Sequence, residues 1–342
     1  MDQWAFFDAL KAGRVENIYL FHGPEAYIRR SALAALEKKT LMPGLESMNS
    51  TVLSAPSAQA VIESCETLPM MSDYRLVVVR DCALLTAGKA RDEAQDSQLL
   101  CDYLPRVPES TCLVFEADAA IDKRKKLTKA LLALPGAVSF DALDDVQLAK
   151  WINQTLRPMG KRMDRTTCEA LAFTSGRDLT LLAGELEKLA AYAADRESIT
   201  REDVEQIATH TAECTVFAMV DALSAGQVKQ AFALLSVLLT AGEQRIGILA
   251  MITRHYRQMM HLSAMMAQRT PQAQMARTLG VPPFALTRLT RQVGRRTFES
   301  LRGSVELCVQ TDYDVKRGAI REDAALDRLM LRLAGQGGGE PR

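Results

Sequence analysis

Residues 18–36 read IYLFHGPEAYIRRSALAAL, an apolar run, a Gly-Pro turn and a helix-forming segment in immediate succession. The run at residues 18–21 is short, partly aromatic and closed by Gly23 and Pro24, a pattern typical of a buried strand that ends in a turn. Apolar residues then return at helical spacing up to Leu36, between alanines that favour a helix. The stretch therefore predicts a strand, a turn and a helix.

The turn resembles a nucleotide site in position but lacks the residues that grip phosphate. A phosphate-binding loop would read GxxxxGK[ST], with a lysine for the phosphates and a hydroxyl for Mg²⁺. Here only Gly23 is present. Pro24 lacks a donor N–H, and Glu25 brings a negative charge to the place where an anion would bind. The sequence favours a plain strand-to-helix turn over nucleotide binding.

Composition limits the class of protein. The chain has 342 residues, which indicates two or three domains, and it is 48% hydrophobic and 25% charged, as globular proteins are. Lys plus Arg and Asp plus Glu both number 42, so bulk attraction for nucleic acid is not expected. No apolar stretch approaches a membrane span of about 20 residues, and the first residues do not resemble a signal peptide. We expect no membrane association and a cytoplasmic location.

Strand and helix signals alternate as far as residue 143, which predicts a parallel sheet with helices on both faces. Beyond this point strand signals stop. Helical patterns predict a small helical domain at residues 144–211 and a longer one at residues 212–334, followed by a disordered glycine-rich tail at residues 335–342. The predicted fold class is an α/β N-terminal domain with a parallel sheet, followed by two all-α domains.

Five segments in this order resemble the delta subunit of the bacterial DNA polymerase III clamp loader, and the resemblance spans nearly the whole chain. The segments are YLFHGPEAYIRRSAL, ETLPMMSDYRLVVVRD, LVFEADAAIDKRKKLTKAL, GRDLTLLAGELEKLAAYA and CTVFAMVDALSAG. The resemblance implies an AAA+ (RecA-like) first domain that has lost ATP chemistry, a helical lid and a helical collar domain. It also implies that ATP and Mg²⁺ are bound by partner subunits only, so no cofactor is expected here.

Two further positions agree with a lost nucleotide site. An active ATPase of this architecture needs an acid pair after its third strand, whereas this chain continues with Arg80, Asp81 and Cys82. The next strand should carry a polar sensor of the γ-phosphate, and here it ends in Glu116, Ala117 and Asp118, whose charges would repel a phosphate. We interpret both as structural remnants.

The segment LPMMSDY at residues 68–74 places Leu68, Met70 and Met71 between a helix and a strand, where loops are usually polar. From the residues alone, covering the sheet edge and contacting a partner are equally acceptable interpretations. The resemblance favours contact, because this position in the delta family carries the apolar pair that enters a hydrophobic pocket on the sliding clamp (beta). Relatives often have Leu or Phe here, but flexible methionines also suit a pocket.

Four consecutive cations, Lys123, Arg124, Lys125 and Lys126, are a candidate DNA contact. No aromatic residue lies among them to stack on bases, so the sequence favours a solvated start of a helix at residues 123–134. Arg177 could imitate an arginine that a helical lid directs at a γ-phosphate, but helix capping and surface charge explain it better.

The resemblance implies a subunit that binds the sliding clamp, favours an open ring and joins gamma/tau and delta prime subunits through its C-terminal domain, with primed DNA inside the assembly. No catalytic residue or metal ligand is expected. Two alternatives remain from the sequence: an AAA+ type ATPase with an unorthodox nucleotide loop, and a stand-alone DNA-binding protein.

Overall fold

The computed structural model describes residues 1–87, 93–117, 120–281 and 283–337 of the chain. Its chain contacts divide it into two compact units, Met1–Asp144 and Asp145–Arg342. The first unit holds a five-stranded sheet, and the second is built mainly from helices. The fold class predicted from the sequence is confirmed in this outline.

The sheet of the first unit has the strand order β2-β3-β4-β1-β5, and the pairings along it are parallel. The central strands β3 and β4 are nearly continuous apolar runs, as expected for strands that are covered on both faces. The strands are β1 Ile18–His22, β2 Ser50–Ser54, β3 Arg75–Arg80, β4 Thr111–Glu116 and β5 Ala137–Ser139.

Helices connect successive strands and supply the rest of the core of this unit. An aromatic cluster of Phe6, Tyr19, Phe21 and Phe140 packs largely edge-to-face beneath the first helix, whose N-terminus is capped by Asp2. The helices are α1 Gln3–Lys11, α2 Ala26–Thr40, α3 Glu46–Asn49, α4 Ala58–Glu66, α5 Glu93–Tyr103 and α6 Lys126–Leu132, with a 3₁₀ turn at Leu104–Arg106.

The second unit packs helix on helix, and the core of its C-terminal part is formed by apolar stripes of α11 to α17. Its helices are α7 Asp145–Leu156, α8 Arg165–Ser175, α9 Leu179–Tyr192, α10 Arg201–Ile207, α11 Ala212–Ser224, α12 Val228–Thr240, α13 Arg245–Ala267, α14 Gln272–Leu279, α15 Pro283–Val293, α16 Phe298–Lys316 and α17 Glu322–Gly337. A 3₁₀ turn follows α7 at Arg157–Met159.

The prediction that this part of the chain is all-α was wrong in one detail. Two short strands, β6 Arg162–Met163 and β7 Ser198–Ile199, pair in parallel. Two residues are too few to show the alternation by which a strand is recognised, so the sequence carried no signal for them. The finer division into a lid at residues 144–211 and a collar at residues 212–334 stays a prediction.

The predicted disordered tail also began too early. Helix α17 continues through Gly337, three residues into the predicted segment 335–342. Glycine lowers the stability of a helix by about 1 kcal/mol relative to alanine but does not forbid one, and the preceding apolar residues of α17 pack into the core. Residues 338–342 lie outside the described residues.

Among the helices that the structure describes, none combines the length and the apolar composition needed to cross a membrane.

Candidate functional site

The turn after β1 lies against the main chain that follows β5. Gly23 has φ +118°, and a Cβ atom on it would lie 2.4 Å from the carbonyl oxygen of Phe140. That same oxygen accepts a hydrogen bond from the backbone N–H of Glu25 at 3.0 Å. The turn therefore needs glycine for close packing, and a donor that could have faced an anion is already used within the protein.

The carboxylate of Glu116 lies at the carboxyl end of the sheet between two arginines. Its side chain is 4% exposed, and it accepts hydrogen bonds from Arg29 Nε at 3.4 Å and from Arg80 Nε at 2.8 Å. Arg29 is 3% exposed and also donates to the carbonyl oxygen of Gly23 at 2.7 Å, which ties the turn to this group. We call Arg29, Arg80 and Glu116 the arginine–glutamate cluster.

The cluster changes the interpretation of Glu116. We expected its charge to repel a phosphate, whereas the structure shows it neutralised by two guanidinium groups. Sequence reasoning missed Arg29, although a signal was available: it lies on the apolar stripe of α2, three and four residues before the buried Ala32 and Leu33. Asp118, the other predicted repelling charge, lies outside the described residues.

The single carboxylate that follows β3 is also engaged. Asp81 accepts a hydrogen bond from Ser54 Oγ at 2.7 Å and has φ +53°, in the left-handed region. In the described part of the chain, no group of three or more His, Cys, Asp or Glu side chains is arranged to hold a metal ion.

The segment between α4 and β3, residues 67–74, presents its apolar side chains to solvent, and we call it the methionine loop. Leu68 is 78% exposed, Met70 58% and Met71 81%. Apolar side chains this exposed do not cover the sheet, so the structure disfavours the first of the two interpretations open from the sequence.

The backbone of the methionine loop is nevertheless anchored. The carboxamide of the fully buried Asn49 accepts a hydrogen bond from Met70 N–H at 2.6 Å and donates one to the Met70 carbonyl oxygen at 2.9 Å. Arg75, the first residue after the loop, donates to the Ser64 carbonyl oxygen at 3.0 Å and to Thr51 Oγ1 at 2.8 Å. Exposed apolar side chains are thus carried on a fixed main chain.

The backbone of Met71 is strained. Its φ is +51°, a left-handed conformation that disfavours residues other than glycine by about 1–2 kcal/mol. A methionine in this conformation, with its side chain in solvent, contributes no burial to the fold that would offset the strain. Strained residues cluster at functional sites, and Met71 is one of five non-glycine residues with positive φ in the described part of the chain.

The exposed apolar surface extends beyond the loop. Met48 precedes Asn49, and its carbonyl oxygen accepts a hydrogen bond from Arg75 at 3.3 Å, so the two segments are neighbours. Met48 is exposed, as is Val52 on β2, the strand at the edge of the sheet. Large exposed apolar side chains on adjoining segments are typical of an interaction surface.

Three cations of the basic run lie before α6, and the fourth, Lys126, is the first residue of the helix. The helix begins at Lys126, not at residue 123 as predicted, and in the turn before it Arg124 folds back on Asp122. The Arg124 guanidinium holds the pKa of the Asp122 carboxyl well below its usual range. Lys125 donates to the Ala83 carbonyl oxygen at 2.9 Å, and Lys126 donates to Gln98. DNA contact by Lys123 and its neighbours stays a prediction.

A cavity of about 770 Å³ in the second unit is lined by residues of α7, α8, α11 and α14. Four of its charged side chains are in ion pairs: Arg177 with Asp145 at 2.5 Å, Glu213 with Arg254 at 3.0 Å and Glu169 with Arg165 at 3.0 Å. Arg177 therefore lies in a surface ion pair, which agrees with the surface charge expected from the sequence, whereas the cap of α9 is Asp178.

Comparison with known proteins gives a consistent result. The family model described as "DNA polymerase III, delta subunit" matches residues 19–139, and the model of the "DNA polymerase III delta subunit, C-terminal domain" matches residues 213–333. Together they match more than half of the chain. The chain belongs to the DNA polymerase III delta subunit family.

Individual members of the delta family agree. DNA polymerase III subunit delta of Bacillus subtilis is 25% identical over 330 residues, which cover 95% of each chain. A probable DNA polymerase III subunit delta of Aquifex aeolicus is 22% identical over 249 residues, covering 70% of this chain and 69% of that one. The solved structure of the Bacillus subtilis DNA clamp loader delta protein shares the fold, with a TM-score of 0.60, 24% identity and coverage of 97% of this chain and 99% of that one.

Proposed function

We propose that this delta-family chain binds the sliding clamp (beta) through Leu68, Met70 and Met71 of the methionine loop and favours the open form of the ring. The observation that carries the proposal is an apolar pair that is exposed on an anchored, locally strained backbone. A partner pocket that encloses these side chains would recover the burial that the isolated chain forgoes.

In this proposal the chain contributes binding rather than chemistry. The arginine–glutamate cluster and the close approach of Gly23 to Phe140 occupy the region where phosphates would bind, so ATP and Mg²⁺ would act on partner subunits. Gamma/tau and delta prime subunits would assemble with the C-terminal domain around primed DNA. ATP binding on those partners would shift the population in which the methionine loop can reach the clamp.

The test is calorimetric titration of this chain with the sliding clamp of the same organism, beside the double variant Met70→Ala, Met71→Ala. Full burial of one methionine stabilises a complex by about 1.5–3 kcal/mol, so the double variant should bind about 100-fold more weakly or worse. Because both side chains are exposed, its urea unfolding midpoint should match that of the parent.

The matched control replaces two partly exposed methionines of the second unit, Met159→Ala and Met266→Ala, and should leave the affinity unchanged. A Met70, Met71 double variant that binds the clamp as tightly as the parent would exclude this contact.

Ring opening needs a separate measurement. A clamp that carries a donor and an acceptor dye across one subunit interface should lose energy transfer when the parent chain binds and keep it with the double variant. Tight binding without a change in energy transfer would limit the function to clamp binding.

A further inference from the structure

The methionine loop is held by a side chain that belongs to a different segment of the chain. Asn49 is the last residue of the short helix α3, lies 21 positions before Met70 and is completely buried. Its amide nitrogen donates to the Met70 carbonyl oxygen and, at 3.2 Å, to the Leu45 carbonyl oxygen, while its amide oxygen accepts from the Met70 N–H.

This pairing acts on one residue of the loop from both sides. A carboxamide that bonds both the N–H and the C=O of a residue imitates a neighbouring strand, and it fixes that residue without a ladder of backbone bonds. Met70 is held in this way immediately before Met71 turns through its left-handed conformation. The two bonds thus fix the part of the loop from which both methionine side chains project.

We propose that Asn49 is the positioning residue of this surface: it holds the methionine loop in the conformation that exposes Met70 and Met71 together. The consequence for clamp affinity rests on the proposed function. A loop that samples several conformations binds in proportion to the fraction of molecules in the competent one, so loss of Asn49 lowers apparent affinity without removing any contacting side chain.

The chain contains a matched control for the chemistry of this group. Asn153 makes the same three bonds in the second unit: its amide nitrogen donates to the Ala149 carbonyl oxygen at 3.1 Å and to the Met163 carbonyl oxygen at 2.9 Å, and its amide oxygen accepts from the Met163 N–H at 2.9 Å. Its amide nitrogen also contacts Cys168 Sγ at 3.8 Å. Replacing Asn153 removes interactions of the same kind at a site that is far from the methionine loop in the sequence.

The experiment compares Asn49→Leu with Asn153→Leu, with Asn49→Ser as a milder variant whose hydroxyl is too short to reach both groups of Met70. Hydrogen exchange is followed at the Met70 amide, and clamp affinity is measured by titration, with circular dichroism as the check of folding. We expect the Asn49 variants to exchange the Met70 amide at least about 10-fold faster and to bind the clamp about 10-fold more weakly, whereas Asn153→Leu changes neither.

Unchanged protection of the Met70 amide in folded Asn49 variants would overturn the proposal, and so would faster exchange with unchanged clamp affinity. An equal effect of Asn153→Leu would show a general loss of stability and would overturn it as well. If Met70→Ala, Met71→Ala leaves clamp binding intact, the proposed function fails, but the exchange of the Met70 amide still decides whether Asn49 holds the loop.

Discussion

Substitution of Glu116 by glutamine tests the arginine–glutamate cluster. Glutamine keeps the size of the side chain and one acceptor oxygen but removes the charge that two guanidinium groups share. The buried Arg29 would then face a neutral amide in place of the carboxylate, while its hydrogen bond to the carbonyl oxygen of Gly23 remains. Breaking a buried ion pair on one side destabilises a protein by about 3–5 kcal/mol, because the remaining charge is uncompensated.

The expected loss is at the lower end of this range. The retained amide oxygen can still accept one hydrogen bond, and the bond from Arg29 is long at 3.4 Å. We therefore expect the free energy of unfolding of the variant to be lower than that of the parent by about 3 kcal/mol. Arg80 is 42% exposed, and solvent screening limits its contribution to the stability that the cluster provides. Arg80→Gln should therefore cost about 1 kcal/mol or less.

The two tryptophans, Trp4 and Trp151, lie in different units, so the loss of stability can be assigned to one unit. In a Trp151→Phe background, urea unfolding followed by fluorescence reports on the first unit, where Glu116 lies, and avoids the assumption that the whole chain unfolds in one step.

A loss below about 1 kcal/mol for Glu116→Gln would refute the argument, since the charge would then be shown to have other compensation. The paired replacement Arg29→Met, Glu116→Leu provides the internal control. It removes both charges together and should be more stable than Glu116→Gln alone.

Three further results are expected. Gly23→Ala should lower stability by about 3 kcal/mol in urea unfolding, since its φ of +118° and the 2.4 Å approach to Phe140 both oppose a Cβ; Gly13→Ala, with φ +80° and open space around it, should cost about 1 kcal/mol. Burial lowers the pKa of His255 to about 4, so the unfolded chain binds a proton there that the folded chain does not, and stability should fall by up to about 3 kcal/mol between pH 6.5 and 4; a His255→Gln variant with the same pH dependence as the parent would contradict this. Millimolar Mg·ATP should leave the melting temperature of the isolated chain within about 1 °C, whereas a ligand at 100 times its Kd would add about 2.7 kcal/mol to its stability.

Local patterns of the sequence were sufficient for much of the fold. The apolar run before Gly23 predicted the strand β1 and the turn that follows it, and the alternation of strand and helix signals predicted a parallel sheet covered on both faces. Adjacent residues decide these features, so a single sequence contains them. The short strands β6 and β7 have no such pattern and were missed.

The contacts that define the site depend on residues far apart in the chain. Arg29 and Glu116 are 87 positions apart, and no local pattern relates them. The same holds for Asn49 and Met70, because a polar residue at the end of a short helix looks like an ordinary surface residue until its burial is known. The methionine loop was visible in the sequence as an apolar segment between a helix and a strand, but its exposure and its anchoring required the structure.

The arginine–glutamate cluster also bears on how such a chain can evolve. Replacing Glu116 alone removes the carboxylate that faces the buried Arg29 guanidinium, and replacing Arg29 alone leaves the buried carboxylate paired with the half-exposed Arg80. A lysine introduced near Gly23 to attract phosphate would add a further cation to a region where two already lie. A phosphate-binding turn at this position therefore requires several substitutions. Those that remove one member of the buried ion pair lower stability when they occur alone, so selection for a stable fold opposes them.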